Sequence, residues 1–499
     1  MNRTLSRFRF PVLLAAMALS TAAGSAQPIE PAHLSSLVEG PEYVPGAPAY
    51  SDVVMRSLRM HPANQDDPYD TLAAVRAFHA TRLEWVYADA GEIRRLREQG
   101  MFIGATVNSI YRKKGADPGD TAGWCLDQEG KPVTAPWMQN WDVYWGCVNR
   151  PEFRAYFERE ALKLLEAGAN ALQTDDPAMN QGVVNWGGCF CAHCMEGFRG
   201  YLREHTTDAA RAKWGITDLA GFDYGAYLDK REKAPKGLAK AFKEFQTAST
   251  RAFHKRIHAA LDTALGRHAP RSSNNGFSRW NSPYDLFDYG MGEVHPEHLS
   301  VPDMHEAIAR SRALGKMQVY TAPKPVPEAA LVRKCIASVY ALGGVMMVPW
   351  DVYQGEDARY FGRPEDFADL YGFVRNNAGL FDGYEEAVVL GPDMSVPEGL
   401  AARPVTLPKD RQVYAFLRAR PGDAAAPVAV HLVDWSDTPA PVEVLLRPIP
   451  FFGEGPLAVT LHTPGAEEKL PVQPLGEDRV RVTVPPLRPW GILAVGAGG

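Results

Sequence analysis

The chain reads as an α/β protein: a (β/α)8 TIM barrel followed by a C-terminal antiparallel β-sandwich domain. Between about residues 50 and 380, short apolar runs rich in Val, Ile, Met and Phe alternate with segments of helical period, the pattern of repeated βα units around a parallel sheet. Beyond about residue 385 the helical period stops, and short alternating strands separated by turns take over. A doubly wound open sheet is the alternative for the first part. No Gly-rich phosphate loop follows the first strand, so nothing supports that alternative and no organic cofactor is expected.

Residues 1–26 have the build of a secretory signal peptide. Arg3, Arg7 and Arg9 supply a positive start, an apolar run extends from Phe10 to Ala23, and Gly24, Ser25 and Ala26 supply the small residues of a cleavage point, expected after Ala26. The run is shorter than the roughly 20 residues that cross a bilayer, and no later segment is apolar enough, so no membrane span is expected. The mature protein is expected to be secreted or periplasmic.

The barrel is assigned to residues 27–384. Eight strand-like runs lie near 53–60, 82–88, 102–108, 170–176, 270–276, 288–293, 316–321 and 343–350. The helical period between them is plain in Phe153, Tyr156, Phe157, Ala161, Leu164 and Leu165, which recur at three- and four-residue steps. Two connections exceed what a barrel needs: 109–150, which carries Trp124, Trp137, Trp141 and Trp145, and 177–269, which carries Trp186 and a cysteine cluster. Both follow strand ends and so belong on the C-terminal rim, where barrel active sites are built. Loops this long are usually functional. Residues 385–499 hold the alternating segments 413–417, 428–432, 442–445 and 480–484, read as the accessory sandwich.

Composition narrows the function classes. With 499 residues, 53 Lys+Arg against 59 Asp+Glu, a net charge of -6 and 45% hydrophobic residues, the chain can bury a large core and is not disordered. Phosphate binding needs concentrated Lys and Arg on one face. The densest basic stretch, 230–243, is interrupted by Glu232 and followed by Glu244. Nucleic acid is therefore not the expected partner, and a homo-oligomer is left open.

Export would make six cysteines look like three disulfides. The spacing of four of them says otherwise. Cys189, Cys191 and Cys194 form C-x-C-x2-C, too close to bridge comfortably among themselves but suited to one tetrahedral zinc, with Cys147 the best candidate for a fourth ligand. Disulfides or free thiols are the alternative. Four thiolates leave no open position for water, so such a zinc is structural. Cys125 and Cys335 are left to pair with each other, or Cys335 is a plain core residue.

The frame C-x-N-x-P-x-[FY]-R beginning at Cys147, then a helix and a strand, then C-[FY]-C-x2-C-x3-F, resembles the zinc-binding part of family 42 glycoside hydrolases, the β-galactosidases, and of related barrel glycosidases. The resemblance covers about residues 147–202 and implies zinc on Cys147, Cys189, Cys191 and Cys194. The segment Val430-His431-Leu432-Val433-Asp434-Trp435 likewise resembles the trailing β-domain of barrel glycosidases. There is one departure. Family 42 ends its fourth strand with Asn-Glu, whereas this chain has Gln173-Thr174-Asp175-Asp176-Pro177. That strand end looks more like the α-galactosidase and α-fucosidase type of barrel, in which an aspartate is the nucleophile.

Reading each run at its C-terminal end gives His61, Asn108, Asp175 and Asp176, Asn274 and Asn275, Glu293 and His295, Lys324, and Trp350 with Asp351. A ring of carboxylate, amide and imidazole groups suits a polyhydroxylated ligand, and indoles such as Trp137 and Trp141 offer faces for sugar C–H groups. Glycoside hydrolysis needs two carboxyl groups across the scissile bond. Asp175 is the expected nucleophile and Glu293 the general acid/base, with its small neighbours leaving room for a ligand near the backbone. Asp176 is expected to turn away to the rim or the next helix, since adjacent strand residues face opposite ways; the two aspartates could also exchange roles. Asp351 is a reserve carboxylate.

The expected function is a secreted retaining exo-glycosidase that cleaves a terminal sugar from an oligosaccharide or polysaccharide. A non-catalytic carbohydrate-binding barrel is the alternative. Metallohydrolase and serine hydrolase chemistry lack their motifs, H-x-H or H-E-x-x-H and G-x-S-x-G.

Overall fold

The computed structural model describes residues 40–58, 60–63, 69–113, 122–141, 143–231, 233–295, 298–321, 328–355, 358–395, 404–447, 452, 455–476 and 479–498. The expected signal peptide, its cleavage point after Ala26, and Lys324 lie outside the described residues.

Eight parallel strands form one sheet: β1 Val54–Arg56, β2 Arg82–Val86, β3 Phe102–Asn108, β4 Ala171–Asp175, β5 Arg271–Ser273, β6 Tyr289–Glu293, β7 Gln318–Thr321 and β8 Val345–Met346. They pair in sequence order, and the Val348 amide donates to the Val54 carbonyl at 2.9 Å, so the two edge strands meet and the sheet nearly closes. The expected barrel is thus present, one strand per expected run. Several strands are shorter than their runs. Met347, Val348 and Trp350 are buried beyond the end of β8, because packing continues where ladder pairing has stopped, and apolar runs record packing.

Polar pairs share the barrel interior with aliphatic side chains. Thr106 donates to Gln173 at 2.9 Å, Asn275 and Gln318 exchange two side-chain hydrogen bonds at 2.9 and 3.0 Å, and Glu84 is held by Arg82 and Tyr289. Local signals set the surrounding helices. Pro151 opens helix Pro151–Glu166, where its missing N–H costs nothing. Asp89 caps helix Ala90–Glu98 by accepting from the Gly91 and Glu92 amides.

The two long connections differ in kind. In the first, Ile110–Lys113 pairs antiparallel with Val143–Trp145. The second is less a loop than a helical subdomain, ending in the 30-residue helix Lys236–Leu265 that returns to the barrel wall. Phe198, Phe222, Tyr224, Phe242 and Phe245 from this region build a separate core around the cysteines.

The C-terminal region is an antiparallel sandwich of a six-stranded and a four-stranded sheet. Alternation decides its packing. Along the six-stranded sheet Tyr414, Phe416, Ala429, Val433, Trp490 and Ile492 join the barrel core, whereas Ala415, Leu417, Val430, Leu432 and Leu493 face the second sheet. The Trp435 indole donates to Ser338 Oγ at 3.0 Å and the Lys334 ammonium to the Trp435 carbonyl at 2.8 Å, which fastens the sandwich to a barrel helix. No helix among the described residues is long and apolar enough to cross a membrane.

Candidate active site

A cavity of about 870 Å³ opens at the C-terminal ends of the strands. It gathers eight of the residues expected from strand ends and the first long connection: Asn108, Trp137, Trp141, Asp175, Asp176, Asn274, Glu293 and His295. Trp137 and Trp141 are exposed by 52% and 38%; such bare indoles present apolar faces to whatever enters. Trp124 and Trp145, from the same connection, are instead buried in its packing.

Asp175 is the most heavily bonded group. Its Oδ2 accepts from the Tyr87 hydroxyl at 2.5 Å and from Asn108 Nδ2 at 3.3 Å; its Oδ1 accepts from the Asp176 amide at 3.0 Å and from Asn274 Nδ2 at 3.4 Å. Burial pushes its pKa above the ordinary carboxylate value, the Tyr87 hydrogen bond and the Arg56 charge pull it down, and Glu293 pushes it up again. Tyr87 stays protonated, its phenol driven well up by burial and by the neighbouring carboxylate.

Asp176 also faces the cavity, contrary to the expectation that it would turn away. β4 ends at Asp175, and Asp176 takes a left-handed φ of 52°, which breaks the strand alternation and brings both carboxyl groups to one side. The helix that follows, Met179–Val183, has no side-chain cap, so Asp176 does not cap it. Among the described residues no hydrogen bond reaches the Asp176 carboxylate. Burial, then the Asp175 and Glu293 charges, drive its pKa well above the ordinary value, against the Arg279 charge. Glu293 raises the pKa of both aspartates, and Asp176, which no hydrogen bond reaches among the described residues, is raised the further of the two.

The structure corrects other expectations. Asn275 is fully buried in the pair with Gln318 inside the barrel. Trp350 is a core residue, and His61 stacks on Phe361 at 4.0 Å, edge-on to Trp350. Asp351 accepts from the Leu58 amide at 2.5 Å and pairs with Arg359 at 3.6 Å; it ties the loop after β1 to that after β8. The glycines beside Glu293 leave no room for a ligand. A Cβ at Gly292 would lie 1.9 Å from the Gly276 carbonyl oxygen and one at Gly290 would lie 2.4 Å from Asn275 Nδ2, so neighbouring strands occupy that space.

Five charged or aromatic wall residues were missed: Arg56, Trp85, Tyr87, Arg279 and Arg359. Tyr87 lies one residue before the end of the second run and could have been found by reading that strand end too. Arg56 was hidden by the overlong first run. Its guanidinium lies 4.2 Å over the Trp85 ring, and its Nε and Nη1 have no hydrogen-bond partner among the described residues. A register shift between Leu83 and Val86, with Trp85 at a φ of 58°, marks a bulge at this strand end of the kind found beside active sites.

The cysteine cluster lies just behind the β4 end. All six cysteines are free thiols, so Cys125 and Cys335 do not pair; Cys335 is a core residue of helix Ala329–Ala341. The sulfurs of Cys147, Cys189, Cys191 and Cys194 lie within 4.8 Å of one another, and Cys147 stands 3.5–3.7 Å from the other three. Four sulfurs about 2.3 Å from one metal ion would be about 3.8 Å apart, so the group can hold a tetrahedral metal. Asn180 donates to Cys147 at 3.4 Å, Cys194 at 3.5 Å and Gln246 at 2.9 Å. It sits in the helix immediately after Asp176-Pro177, and the Pro177 carbonyl bonds His254 Nε2 at 2.8 Å. The cluster and the Asp175-Asp176 turn thus share one support.

No protein-family model matches the chain. Among curated proteins, it is 22% identical over 277 residues to an α-agarase of Alteromonas agarilytica and 23% identical over 289 residues to an α-agarase of Thalassotalea agarivorans. Each match covers 48% of this chain but only 19% and 18% of those proteins. Among solved structures, a GH42 β-galactosidase from G. stearothermophilus superposes with a TM-score of 0.55 at 10% identity, over 91% of this chain and 100% of the other. A maltogenic α-amylase from Thermotoga neapolitana reaches 0.52 at 11% identity, over 90% and 99%. The fold is the one these glycoside hydrolases use, and both relatives by sequence are named α-agarase.

Proposed function

We propose that this chain is an exported glycoside hydrolase that removes a terminal sugar from an oligosaccharide or polysaccharide with retention of configuration. The observation that carries the reading is the group of three carboxyl side chains, Asp175, Asp176 and Glu293, in one rim cavity beside two exposed indoles. Asp175, surrounded by donors from Tyr87, Asn108 and Asn274 and faced by Arg56, is the nucleophile. Those donors favour the ionised carboxylate against the effect of burial and fix its direction before the sugar arrives. Glu293 is the acid/base that protonates the leaving oxygen and then activates water. Asp176, whose pKa burial and the neighbouring carboxyl groups raise, is a second carboxyl group on the same wall. A zinc ion on Cys147, Cys189, Cys191 and Cys194 would be structural, its four thiolates closed to water.

The names of the relatives by sequence and by fold set the substrates to try: agar, β-galactan and starch, with a panel of nitrophenyl glycosides. At least one is expected to be cleaved, and Asp175→Asn or Glu293→Gln is expected to abolish turnover while leaving the melting curve intact. Full activity in both variants overturns the reading. Binding of a glycan without hydrolysis by the wild-type chain replaces it with the non-catalytic sugar-binding barrel.

A further inference from the structure

Beyond Asp176 lies a second cavity of about 380 Å³ that shares Trp137, Asp176, Asn274 and Arg279 with the first as a common wall. Its far side belongs to the helical subdomain and to the loop after β5, and carries Trp186, Gln181 and Tyr284. Nothing in the roles given above to Asp175 and Glu293 uses this space.

We infer that the second cavity is a distinct sugar-binding site, which takes a further unit of the same glycan whose scissile bond lies at Asp175. The inference rests on the glycosidase reading and extends it from a single sugar pocket to a two-site cleft. Three observations carry it. First, the volume falls within the range of small-ligand sites, and the shared wall makes the two cavities neighbours along one path past the carboxyl groups. Second, the indoles are arranged as a continuous aromatic edge: Trp186 meets Trp137 at 4.9 Å and Trp145 at 5.1 Å, each pair edge-to-face near 90°. A ring held edge-to-face by its neighbours is rigid and keeps a face for a sugar ring at little entropic cost. Third, amide side chains that can both donate to and accept from hydroxyl groups line the wall: Gln181, Asn185, Asn274 and Asn281. Arg279, over the Tyr284 ring at 5.0 Å, stands between the two cavities and can donate to hydroxyl groups on either side. The ligand class that fits such a site is a neutral, polyhydroxylated ring with one apolar face.

Gly182 provides the test. It lines the second cavity, and a Cβ there would stand 3.4 Å from the Ala178 Cβ and 3.7 Å from Trp186, ordinary contacts, so Gly182→Leu fills the space without straining the backbone. Trp186→Ala removes the platform instead. Affinities of di- and tetrasaccharides from agar, β-galactan and starch are measured by calorimetry on the full chain carrying Asp175→Asn. The expected result is that in at least one series the tetrasaccharide binds tenfold or more tighter than the disaccharide, and that Gly182→Leu brings the ratio close to one. A ratio near one before substitution, or one unmoved by Gly182→Leu in a chain that melts normally, overturns the second site, as does binding of no series. Hydrolysis by the wild-type chain is scored separately. Length-dependent binding without hydrolysis sinks the enzyme reading alone, and hydrolysis without length dependence sinks the second site alone.

Discussion

The Tyr87 hydroxyl donates to Oδ2 of Asp175 at 2.5 Å, while Asn108 Nδ2 reaches both the Tyr87 oxygen at 3.0 Å and the same carboxylate oxygen at 3.3 Å. The three strand ends β2, β3 and β4 are thereby joined through one carboxylate. Its charge state depends on the neighbours that bond it.

Tyr87→Phe removes a hydrogen bond that favours ionised Asp175. Bonds to charged groups contribute about 1.5–3 kcal/mol, so turnover at neutral pH is expected to fall roughly ten- to a hundredfold. The carboxylate pKa rises, and the acid limb of the kcat profile moves to higher pH. A profile whose acid limb stays in place in the variant contradicts this role.

Asp176→Asn tests the bare carboxyl group. The folded pKa of Asp176 lies well above its unfolded value, so the folded state binds the proton more tightly and stability is lost as pH rises from the ordinary carboxylate value through the raised one. The neutral amide removes that penalty. Melting temperature is expected to rise at pH 7, by about 1 °C for each kcal/mol relieved, and to match the wild type near pH 3. An equal shift at both pH values would assign the gain to packing.

His254 behaves in the opposite sense. Burial lowers its pKa from 6.5 to about 4, while its Nε2 bonds the Pro177 carbonyl next to Asp176. A depressed histidine must take up a proton on unfolding, so stability falls as pH drops from about 6.5 towards 4, by about 3 kcal/mol in total. His254→Gln keeps an amide donor for Pro177 and cannot titrate. Its denaturation midpoint is expected to vary less with pH over that window, measured by urea titration at each pH.

The cysteine cluster predicts a stoichiometry. Metal analysis of the purified chain is expected to give one zinc per protein, and Cys194→Ser to lower both the metal content and the melting temperature, the latter by about 5 °C or more. Because Asn180 ties Cys147 and Cys194 to the helix after Asp176, catalytic turnover should fall with the metal. A chain without zinc that retains full thermal stability would rule out the structural ion.

The order of elements was legible because it rests on local pattern. Apolar runs, helical period and the change to period two near residue 385 each depend on neighbours in sequence, and every barrel run became a strand. The thiol cluster was legible for the same reason: three of its members lie within six residues. Strand-end residues were half legible. Asp175, Glu293 and Asn274 line the cavity, but Asn275 points into the barrel and Asp351 serves a loop, because which way a side chain faces at a strand end depends on where pairing stops.

The sequence by itself thus determined the barrel, the sandwich, three of the four clustered thiols and the strand ends that bear carboxyl groups, since all are written in short-range periodicity or spacing. Only the tertiary structure decided that Asp176 turns in beside Asp175, that Arg56 and Tyr87 lower the latter's pKa against burial, and that two cavities share a wall. The reason is physical. A left-handed residue after the last ladder bond overrides the strand alternation, and charge, burial and cavity walls come from chain segments brought together across the barrel, which no local pattern encodes.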